Sequence, residues 1–315
     1  MAIIGAGRLG TALGLALKLI GCKIEVVAAQ HATSSRRAAG LLGPKTLALS
    51  AHQLGRPSHG QIERLERCSL ILIATPDDTI AAVSNRLAEI LGPKLTSGSG
   101  KRTSAIRRVA LHTSGALASD VLKPMRRSGF AIGSLHPLVS ISESRSGADL
   151  LTHGFFSVEG DAAAVRTGRS IVSDLGGESF RIDSRHKALY HAAAVTASPH
   201  ITALFDIALE MLIVCGLKPR QAQRVLLPLV RSTVSNLATQ EPARALTGTF
   251  KRGDVSTVRK HLAALKAAKL TQALSAYVLL GQRSISMANK HHPGAPGLDE
   301  ISRILARVAK EGRPR

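Results

Sequence analysis

The sequence has few cysteines, few aromatic residues and few acids. Its 315 residues include three cysteines, no tryptophan, two tyrosines and six phenylalanines. Widely spaced cysteines without a CxxC pair predict neither a disulfide framework nor a thiolate zinc site, which fits a reducing cytoplasm. With so few aromatic side chains, a surface that binds single-stranded nucleic acid by stacking its bases is not expected. Acids are outnumbered by bases, because 42 Lys and Arg against 21 Asp and Glu give a formal net charge of +21.

This positive charge favours an anionic ligand, and nucleic acid is one candidate. Charge is the only feature that supports nucleic acid, since no known binding module is present, so we expect no nucleic-acid partner. The most apolar helical stretch, residues 201–217, contains two acids and predicts no membrane span. The N-terminus lacks the basic region of a signal peptide, and we expect a cytoplasmic protein.

Length and apolar content predict two domains. Up to residue 182, short apolar runs alternate with helical patterns, as in βαβ units that feed a parallel sheet. The sequence therefore predicts an α/β fold, with an N-terminal Rossmann doubly wound parallel sheet in residues 1–182 and an all-α domain in residues 183–315. The apolar faces of the later helices predict a homodimer. The predicted strands are Ala2–Ile4, Lys23–Ala28, Leu70–Ala74, Val109–His112, Ala131–Ser134, Phe155–Val158 and Ser179–Ile182.

A GxGxxG pattern follows the first predicted strand and opens the first predicted helix. Its glycines permit a tight turn, close approach of the backbone to a pyrophosphate, and close packing of helix on strand, while the helix N-terminus offers N–H groups to phosphates. We therefore predict a dinucleotide site. Because only four residues precede Gly5, we expect a very short first strand or a chain that lacks a few natural residues. The predicted cofactor-binding residues of this motif are Gly5, Ala6, Gly7, Arg8, Leu9 and Gly10.

The end of the second predicted strand favours NADP(H) over NAD(H). NAD-binding proteins place an acid there to bind the ribose 2′-hydroxyl, whereas a basic residue accommodates a 2′-phosphate. This chain has Gln30 and then Ser35, Arg36 and Arg37, with no acid among them. The alternative is that both arginines are simply exposed residues of a helix's first turns.

Other strand ends carry polar candidates. Thr75 and Pro76 follow an apolar strand, and we expect them near the nicotinamide half of the cofactor. Asp77 is interpreted as a helix N-cap rather than a catalytic acid. His136 is a catalytic candidate and His112 a cofactor-binding one, because both end predicted strands; the alternative is that each braces a loop.

A later helix offers an ammonium, an imidazole and a hydroxyl on one face. Lys187, His191 and Ser198 fall within about 40° of one another at 100° per residue. Reduction of a carbonyl by hydride needs a proton donor and positive charge at the developing alkoxide, and Lys187 or His191 can supply either. The alternatives are a solvated lysine and a hydrogen-bonded interior histidine.

A polar loop between the last helices supplies candidates for binding an acidic substrate. Arg252 can clamp a carboxylate by bidentate hydrogen bonds. Asp254 either contacts the substrate or, as the favoured alternative, caps the next helix. The predicted substrate-binding residues are Ser114, Thr247, Arg252 and Asp254.

Six motifs, in order along nearly the whole chain, resemble a family of bacterial Rossmann-like proteins with a helical C-terminal domain formerly of unknown function. Some members resemble an alternative class of ketopantoate reductase, and the wider superfamily includes pyrroline-5-carboxylate reductases and hydroxyacid dehydrogenases. The resemblance implies that the glycine motif binds the cofactor pyrophosphate and that a cleft between domains holds the substrate. The motifs are Gly5-Ala-Gly-Arg-Leu-Gly10, Thr75-Pro-Asp-Asp78, His112-Thr-Ser-Gly-Ala116, Ser134-Leu-His-Pro-Leu138, Tyr190-His-Ala-Ala-Ala194, and Leu246-Thr-Gly248 with Arg252-Gly-Asp254.

The prediction is an NADP(H)-dependent oxidoreductase that reduces a small anionic 2-oxo acid, or a related carbonyl or imine, with ketopantoate as the most specific substrate. Three positions depart from the family pattern: Gln30 replaces an arginine, Pro199 an asparagine and Thr249 a proline. Pro199 also predicts a kink. The alternative, encouraged by Pro199, is a dinucleotide-binding sensor or scaffold without turnover. No metal site is predicted, because the sequence has neither HExxH nor a Cys/His cluster.

Overall fold

The computed structural model describes residues 1–93, 108–291 and 294–311, and the chain divides into two compact units, Met1–Ala197 and Ser198–Arg315. The division falls later than the predicted boundary after residue 182. The reason is that Lys187 hydrogen-bonds to two residues of the first unit, which ties the segment after residue 182 to the sheet. The basic stretch around residues 94–107 lies outside the described residues.

An eight-stranded sheet forms the centre of the first unit. Its order is β3-β2-β1-β4-β5-β6-β7-β8, and the predicted α/β fold class is confirmed. One pair differs from a fully parallel sheet, because β7 runs antiparallel to β6. Strand β3 was not predicted, and only Leu49 of its four residues is buried. The strands are β1 Ala2–Ile4, β2 Val26–Ala29, β3 Leu47–Ser50, β4 Leu70–Ile73, β5 Arg108–His112, β6 Phe130–Pro137, β7 Phe155–Gly160 and β8 Glu178–Arg181.

Apolar clusters cover both faces of this sheet. Ile71 and Ile73 of β4 belong to one cluster, while Leu72 belongs to another. Burial on both faces is the reason that β4 reads as an unbroken apolar run. Between β5 and β6, Ser119–Ser128 forms a 3₁₀ segment with Pro124 inside it. The α-helices of the first unit are α1 Arg8–Leu19, α2 Ala32–Leu42, α3 Ala51–Gly55, α4 His59–Glu66, α5 Asp77–Leu91, α6 Ser144–Leu151, α7 Ala162–Asp174 and α8 Lys187–Ala197.

The second unit is helical over its described residues, as predicted. Val258, Leu262 and Ile285 lie in its core. The last helix was not predicted, although Leu298, Ile301 and Leu305 are buried at helical spacing. The helices are α9 Pro199–Val214, α10 Pro219–Thr239, α11 Pro242–Ala245, α12 Gly248–Arg252, α13 Val255–Ala267, α14 Thr271–His291 and α15 Leu298–Glu311.

The prediction that Lys187, His191 and Ser198 share one helix is wrong, because α8 ends at Ala197 and the helix breaks at Ser198. That residue has φ −130° and ψ −75°, outside the helical region, and Pro199 begins α9. A proline disfavours helical geometry in the residue before it and has no N–H to continue the ladder. Ser198 is therefore not on one continuous helix with Lys187 and His191, as the sequence predicted.

One apolar helical stretch is longer than predicted. By length and composition alone, Ser184–Val214 is apolar enough to cross a membrane, with a mean hydropathy of 1.4 and no burial of its apolar window. The alanines of α8 extend the apolar window upstream of Ile201, and two acids are too few to break it. The prediction that no stretch meets this criterion is corrected.

Candidate active site

The glycine motif lines a cavity of about 480 Å³ at the carboxyl ends of β1, β2 and β4. Gly5 has φ +110°, and a Cβ on it would lie 2.5 Å from the Ala74 carbonyl group. A Cβ on Gly10 would overlap the Gly5 carbonyl oxygen, whereas a Cβ on Gly7 meets nothing within 4 Å. Gly5 and Gly10 are therefore required by the fold, and Gly7 faces open space. The lining includes Gly5, Ala6, Gly7, Ala29, Gln30, Ser34, Thr75, Pro76, Thr79 and Val83.

The N-terminus of α1 supplies hydrogen-bond donors at this cavity. The N–H groups of Gly5 and Ala6 donate to the Ala28 carbonyl oxygen at 2.8 and 2.9 Å. The next N–H groups, which begin at Arg8, are those that a helix leaves without intrahelical acceptors. The first turn of α1 has no acidic residue, so its positive dipole end is not neutralised. This end of the cavity fits phosphate groups.

Thr75 gives a second sign that the cavity takes a polar ligand. Its Oγ1 is buried and has no hydrogen-bond partner among the described residues. Buried hydroxyl groups are nearly always hydrogen-bonded in native proteins. With the glycine turn and the α1 terminus, Thr75 fits a dinucleotide better than an apolar ligand.

The residues predicted to hold a 2′-phosphate are only partly at the cavity. Gln30 and Ser34 line it. Ser35 is 1% exposed and its Oγ donates to the Ala32 carbonyl oxygen at 3.1 Å, so the prediction that Ser35 binds the cofactor is not supported by its position. Arg36 and Arg37 are exposed on α2.

His112 does not face a ligand, contrary to prediction. Its side chain is fully buried, its Nδ1 accepts from the Ser114 N–H at 3.2 Å, and its Nε2 lies 3.2 Å from the Ala118 carbonyl oxygen. Burial, and then the positive charge of Lys187, lowers the pKa of His112 to about 3. His112 is thus a neutral brace for the turn after β5.

Ser114 also belongs to that turn, although it was predicted to bind substrate. Its Oγ donates to Asp77 Oδ2 at 2.8 Å and accepts from the N–H groups of Ala116 and Leu117. Asp77 is exposed and is the first residue of α5, where Pro76 occupies the N-cap. The Ser114–Asp77 hydrogen bond joins the cavity wall after β4 to the turn after β5.

Lys187 lies inside the unit rather than at a surface. Its Nζ donates to the Ser114 carbonyl oxygen at 3.1 Å and to Ser134 Oγ at 2.6 Å, and the residue is 1% exposed. Burial lowers the pKa of Lys187 to about 8, against the opposing effect of the Glu159 and Asp77 carboxylates. The ammonium is therefore enclosed by protein groups, and a role for it in proton transfer to a substrate stays a prediction.

Two imidazoles converge on Gly115, the residue after Ser114. A Cβ on Gly115 would lie 2.5 Å from His191 Nδ1 and 2.8 Å from His136 Nε2. The two rings pack edge to face, with centroids 5.6 Å apart. His191 Nδ1 is buried and unpartnered among the described residues. Burial, and then the charges of Lys187 and His191, lowers the pKa of His136 to about 4.

Tyr190 completes this group, which we call the imidazole cluster: His136, Tyr190 and His191 around Gly115. The Tyr190 hydroxyl lies 2.8 Å from His136 Nδ1. Tyr190, Gly115 and Ser134 were not predicted as site residues. Helical spacing puts Tyr190 three residues after Lys187, and strand alternation puts Ser134 on the His136 side of β6, so both were accessible to pattern reasoning.

Four of the predicted site residues, Ser198, Thr247, Arg252 and Asp254, belong to the second unit. Ser198 is the N-cap residue of α9, and Thr247 and Arg252 are exposed at the two ends of α12. Asp254 caps α13, because its Oδ1 accepts from the Thr257 N–H at 3.0 Å. Contact of these residues with a substrate stays a prediction.

Comparison with known families finds two matched regions in the chain. Residues 1–137 match the Rossmann-like domain, and residues 154–284 match a domain of unknown function, DUF2520. The chain thus combines a Rossmann-like domain with a helical DUF2520 domain, and the resemblance drawn from its motifs is confirmed. A search of curated proteins finds no match.

Solved structures share the fold over most of the chain. A provisionally assigned NADP oxidoreductase from Bacteroides fragilis is 23% identical, with a TM-score of 0.67 over 90% of this chain and 96% of its own. Pyrroline carboxylate reductase from Plasmodium falciparum, with NADP bound, is 15% identical, with a TM-score of 0.52 over 91% and 97%. A reductive aminase from Aspergillus terreus, in complex with NADPH and ethyl levulinate, is 15% identical, with a TM-score of 0.54 over 99% and 94%.

Proposed function

We propose that this protein is a nicotinamide-dinucleotide-dependent oxidoreductase that reduces a small carbonyl or imine. The observation that carries the proposal is that a glycine-lined cavity and the imidazole cluster occupy neighbouring strand ends of one sheet. The carboxyl ends of β4, β5 and β6 are adjacent, since Ile73 pairs with His112 and His112 pairs with Ser134. Ligands of doubly wound folds bind at this edge.

Different residues of the chain would bind the cofactor, donate the proton and stabilise the developing charge. The α1 N-terminus and Gly7 would hold the phosphates, and the bound nicotinamide would supply the hydride. His136 and His191 would hold the carbonyl oxygen or imine nitrogen and provide the proton that completes the reduction. Lys187 donates a hydrogen bond to the carbonyl oxygen of Ser114, the residue before Gly115. Its ammonium would keep a positive potential at the substrate oxygen as negative charge develops there.

We further propose that the cofactor is NADP(H) and that the substrate is anionic. No acid follows β2, Gln30 and Ser34 line the cavity at its end, and Arg36 and Arg37 follow in α2, which favours NADP(H) over NAD(H). The excess of positive charge favours an anionic substrate such as a 2-oxo acid, and ketopantoate is the specific candidate. Structural neighbours that act on imines make a cyclic imine acid the second substrate to test.

A panel assay tests the function. Oxidation of NADPH is followed by absorbance with 2-oxo acids, including ketopantoate, and with cyclic imines, each repeated with NADH. We expect turnover with at least one anionic carbonyl or imine, and faster turnover with NADPH. NADPH binding at micromolar affinity without turnover on any member would contradict the enzyme proposal and favour the sensor or scaffold alternative.

We also propose that the protein is a homodimer through its second unit. Large apolar side chains are exposed on three helices there, and contiguous exposed apolar patches mark interaction surfaces. A second copy would cover the same surface that makes Ser184–Val214 so apolar. The exposed residues include Ile201, Leu204, Ile213 and Val214 on α9, Val225, Leu227, Leu229, Val234 and Leu237 on α10, and Leu279 and Leu280 on α14.

Light scattering coupled to size exclusion tests the dimer. We expect a mass twice the 33.1 kDa of one chain, and a shift to the monomer for the Ile213→Glu, Leu229→Glu double variant. Leu19→Glu is the matched control, because Leu19 is 71% exposed on α1 in the other unit, so its mass should not change. A wild-type monomer at micromolar concentration would contradict the proposal.

A further inference from the structure

The hydrogen bond between Tyr190 and His136 decides which nitrogen of His136 carries a proton. A neutral imidazole has one donor and one acceptor nitrogen, and its tautomer follows from the hydrogen bond made by the other side of the ring. His136 Nδ1 is 2.8 Å from the Tyr190 hydroxyl. Its Nε2 has no partner among the described residues and lies beside Gly115.

Both partners are neutral near pH 7. Burial raises the pKa of Tyr190, against a smaller lowering effect of the Ser157 side chain, so the phenol keeps its proton. Burial and the charges of Lys187 and His191 lower the pKa of His136 to about 4, so the imidazole has lost its second proton. A neutral phenol is a better donor than a neutral imidazole, and the Tyr190 O–H therefore donates to Nδ1.

The surrounding packing holds this arrangement. The rings of Tyr190 and His136 meet edge to face at 5.5 Å, and Phe180 of β8 packs against Tyr190 in the same way at 5.9 Å. Ser157 pairs with His136 across the β6–β7 ladder. Tyr190 is on α8, whose first residue, Lys187, is anchored to Ser114 and Ser134. The phenol is therefore fixed by both the sheet and the helix.

We propose that Tyr190 is a positioning residue that holds His136 as the Nε2–H tautomer, so that His136 presents a hydrogen-bond donor beside Gly115 to the substrate's carbonyl oxygen or imine nitrogen. This inference rests on the proposed function for its substrate, but the tautomer itself is a property of the free protein. It separates the two imidazoles by role: His136 stabilises negative charge as a neutral donor, and His191 is left to supply the proton.

Nuclear magnetic resonance of the ¹⁵N-histidine-labelled protein, without ligand, tests the tautomer. We expect His136 to show a protonated Nε2 and an unprotonated Nδ1 at pH 7, and Tyr190→Phe to convert it to a mixture of tautomers. Tyr277→Phe is a matched control, since Tyr277 makes the same 2.8 Å contact with His261 Nδ1 in the second unit. That variant should change the signals of His261 and leave those of His136 unchanged.

Two results would overturn the inference: a wild-type His136 with its proton on Nδ1, or a His136 tautomer that Tyr190→Phe does not alter. Once a substrate is known, Tyr190→Phe should lower kcat by about tenfold or more with little change in NADPH affinity, as loss of an orienting partner typically does. Absence of any reductase activity would refute the proposed function while the tautomer measurement still stood, so the two failures are distinguishable.

Discussion

Gly7→Ala should weaken NADP(H) binding by about tenfold or more, equivalent to about 1.4 kcal/mol, without lowering the melting temperature. Gly7 has φ −77°, which alanine adopts without strain, and a Cβ there meets no atom of the protein within 4 Å. The methyl group would instead occupy the space that a pyrophosphate needs next to the α1 N-terminus. Titration of NADPH fluorescence measures the affinity, and thermal unfolding measures the stability.

Gly10→Ala is the control with the opposite outcome. Its Cβ would overlap the Gly5 carbonyl oxygen and lie 3.2 Å from Ala74 Cβ, so it must push α1 away from β4. Overpacking of this kind costs about 1 to 3 kcal/mol and should lower the melting temperature by several degrees. If Gly7→Ala bound NADPH as tightly as the wild type, the cavity would not be a dinucleotide site.

Lys187→Met should reduce kcat by about 100-fold with NADPH affinity unchanged. Methionine matches the length of the lysine stem, but it removes the ammonium that donates to the Ser114 carbonyl oxygen and Ser134 Oγ. Loss of one preorganised electrostatic group typically costs 10² to 10³ in kcat. Steady-state kinetics with the substrate found in the panel gives kcat, and fluorescence titration gives the affinity.

The pH dependence separates this charge effect from a packing defect. Lys187 is charged below a pKa of about 8 and neutral above it, so wild-type kcat should fall as pH rises through 8. Lys187→Met should lack that decline. An unaltered kcat in this variant, or an identical decline above pH 8, would remove Lys187 from the reaction.

Stability should change in the opposite direction over the same range. The pKa of Lys187 is lowered from 10.5 to about 8 on folding, so between these values the unfolded chain binds more protons than the folded chain. The free energy of unfolding therefore gains up to about 1.4 kcal/mol per pH unit in that window from this group. The gain should be absent in Lys187→Met, as chemical denaturation at pH 8 and pH 10 would measure.

The cofactor end of the site was predictable because it is local. Gly5 to Gly10 form one turn between consecutive elements, and the constraints on their backbone are written in adjacent residues. The same holds for β4, whose apolar run indicates burial on both faces. Ser34 rather than Ser35 lines the cavity, because the Ser35 hydroxyl is buried and donates to the Ala32 carbonyl oxygen, a contact that no short motif specifies.

The reacting end required long-range contacts that no spacing reveals. Lys187 reads as a surface lysine at a helix start, yet it hydrogen-bonds to residues 73 and 53 positions away in the chain. His112 reads as a strand-end ligand residue, yet the turn after β5 folds back and uses both of its nitrogens. The burial and the hydrogen-bond partners of Lys187 and His112 depend on which strands become neighbours in the sheet.

The sequence by itself determined the two-part architecture, the glycine turn and the basic, acid-free end of β2, because each follows from short-range periodicity or from the chemistry of a few consecutive residues. Tertiary structure alone decided that Gly115 lies between His136 and His191. It also decided that the Lys187 ammonium is buried inside the first unit and not exposed to solvent. The reason is physical: desolvation and hydrogen-bond partners arise only when α8 packs against the ends of β5 and β6.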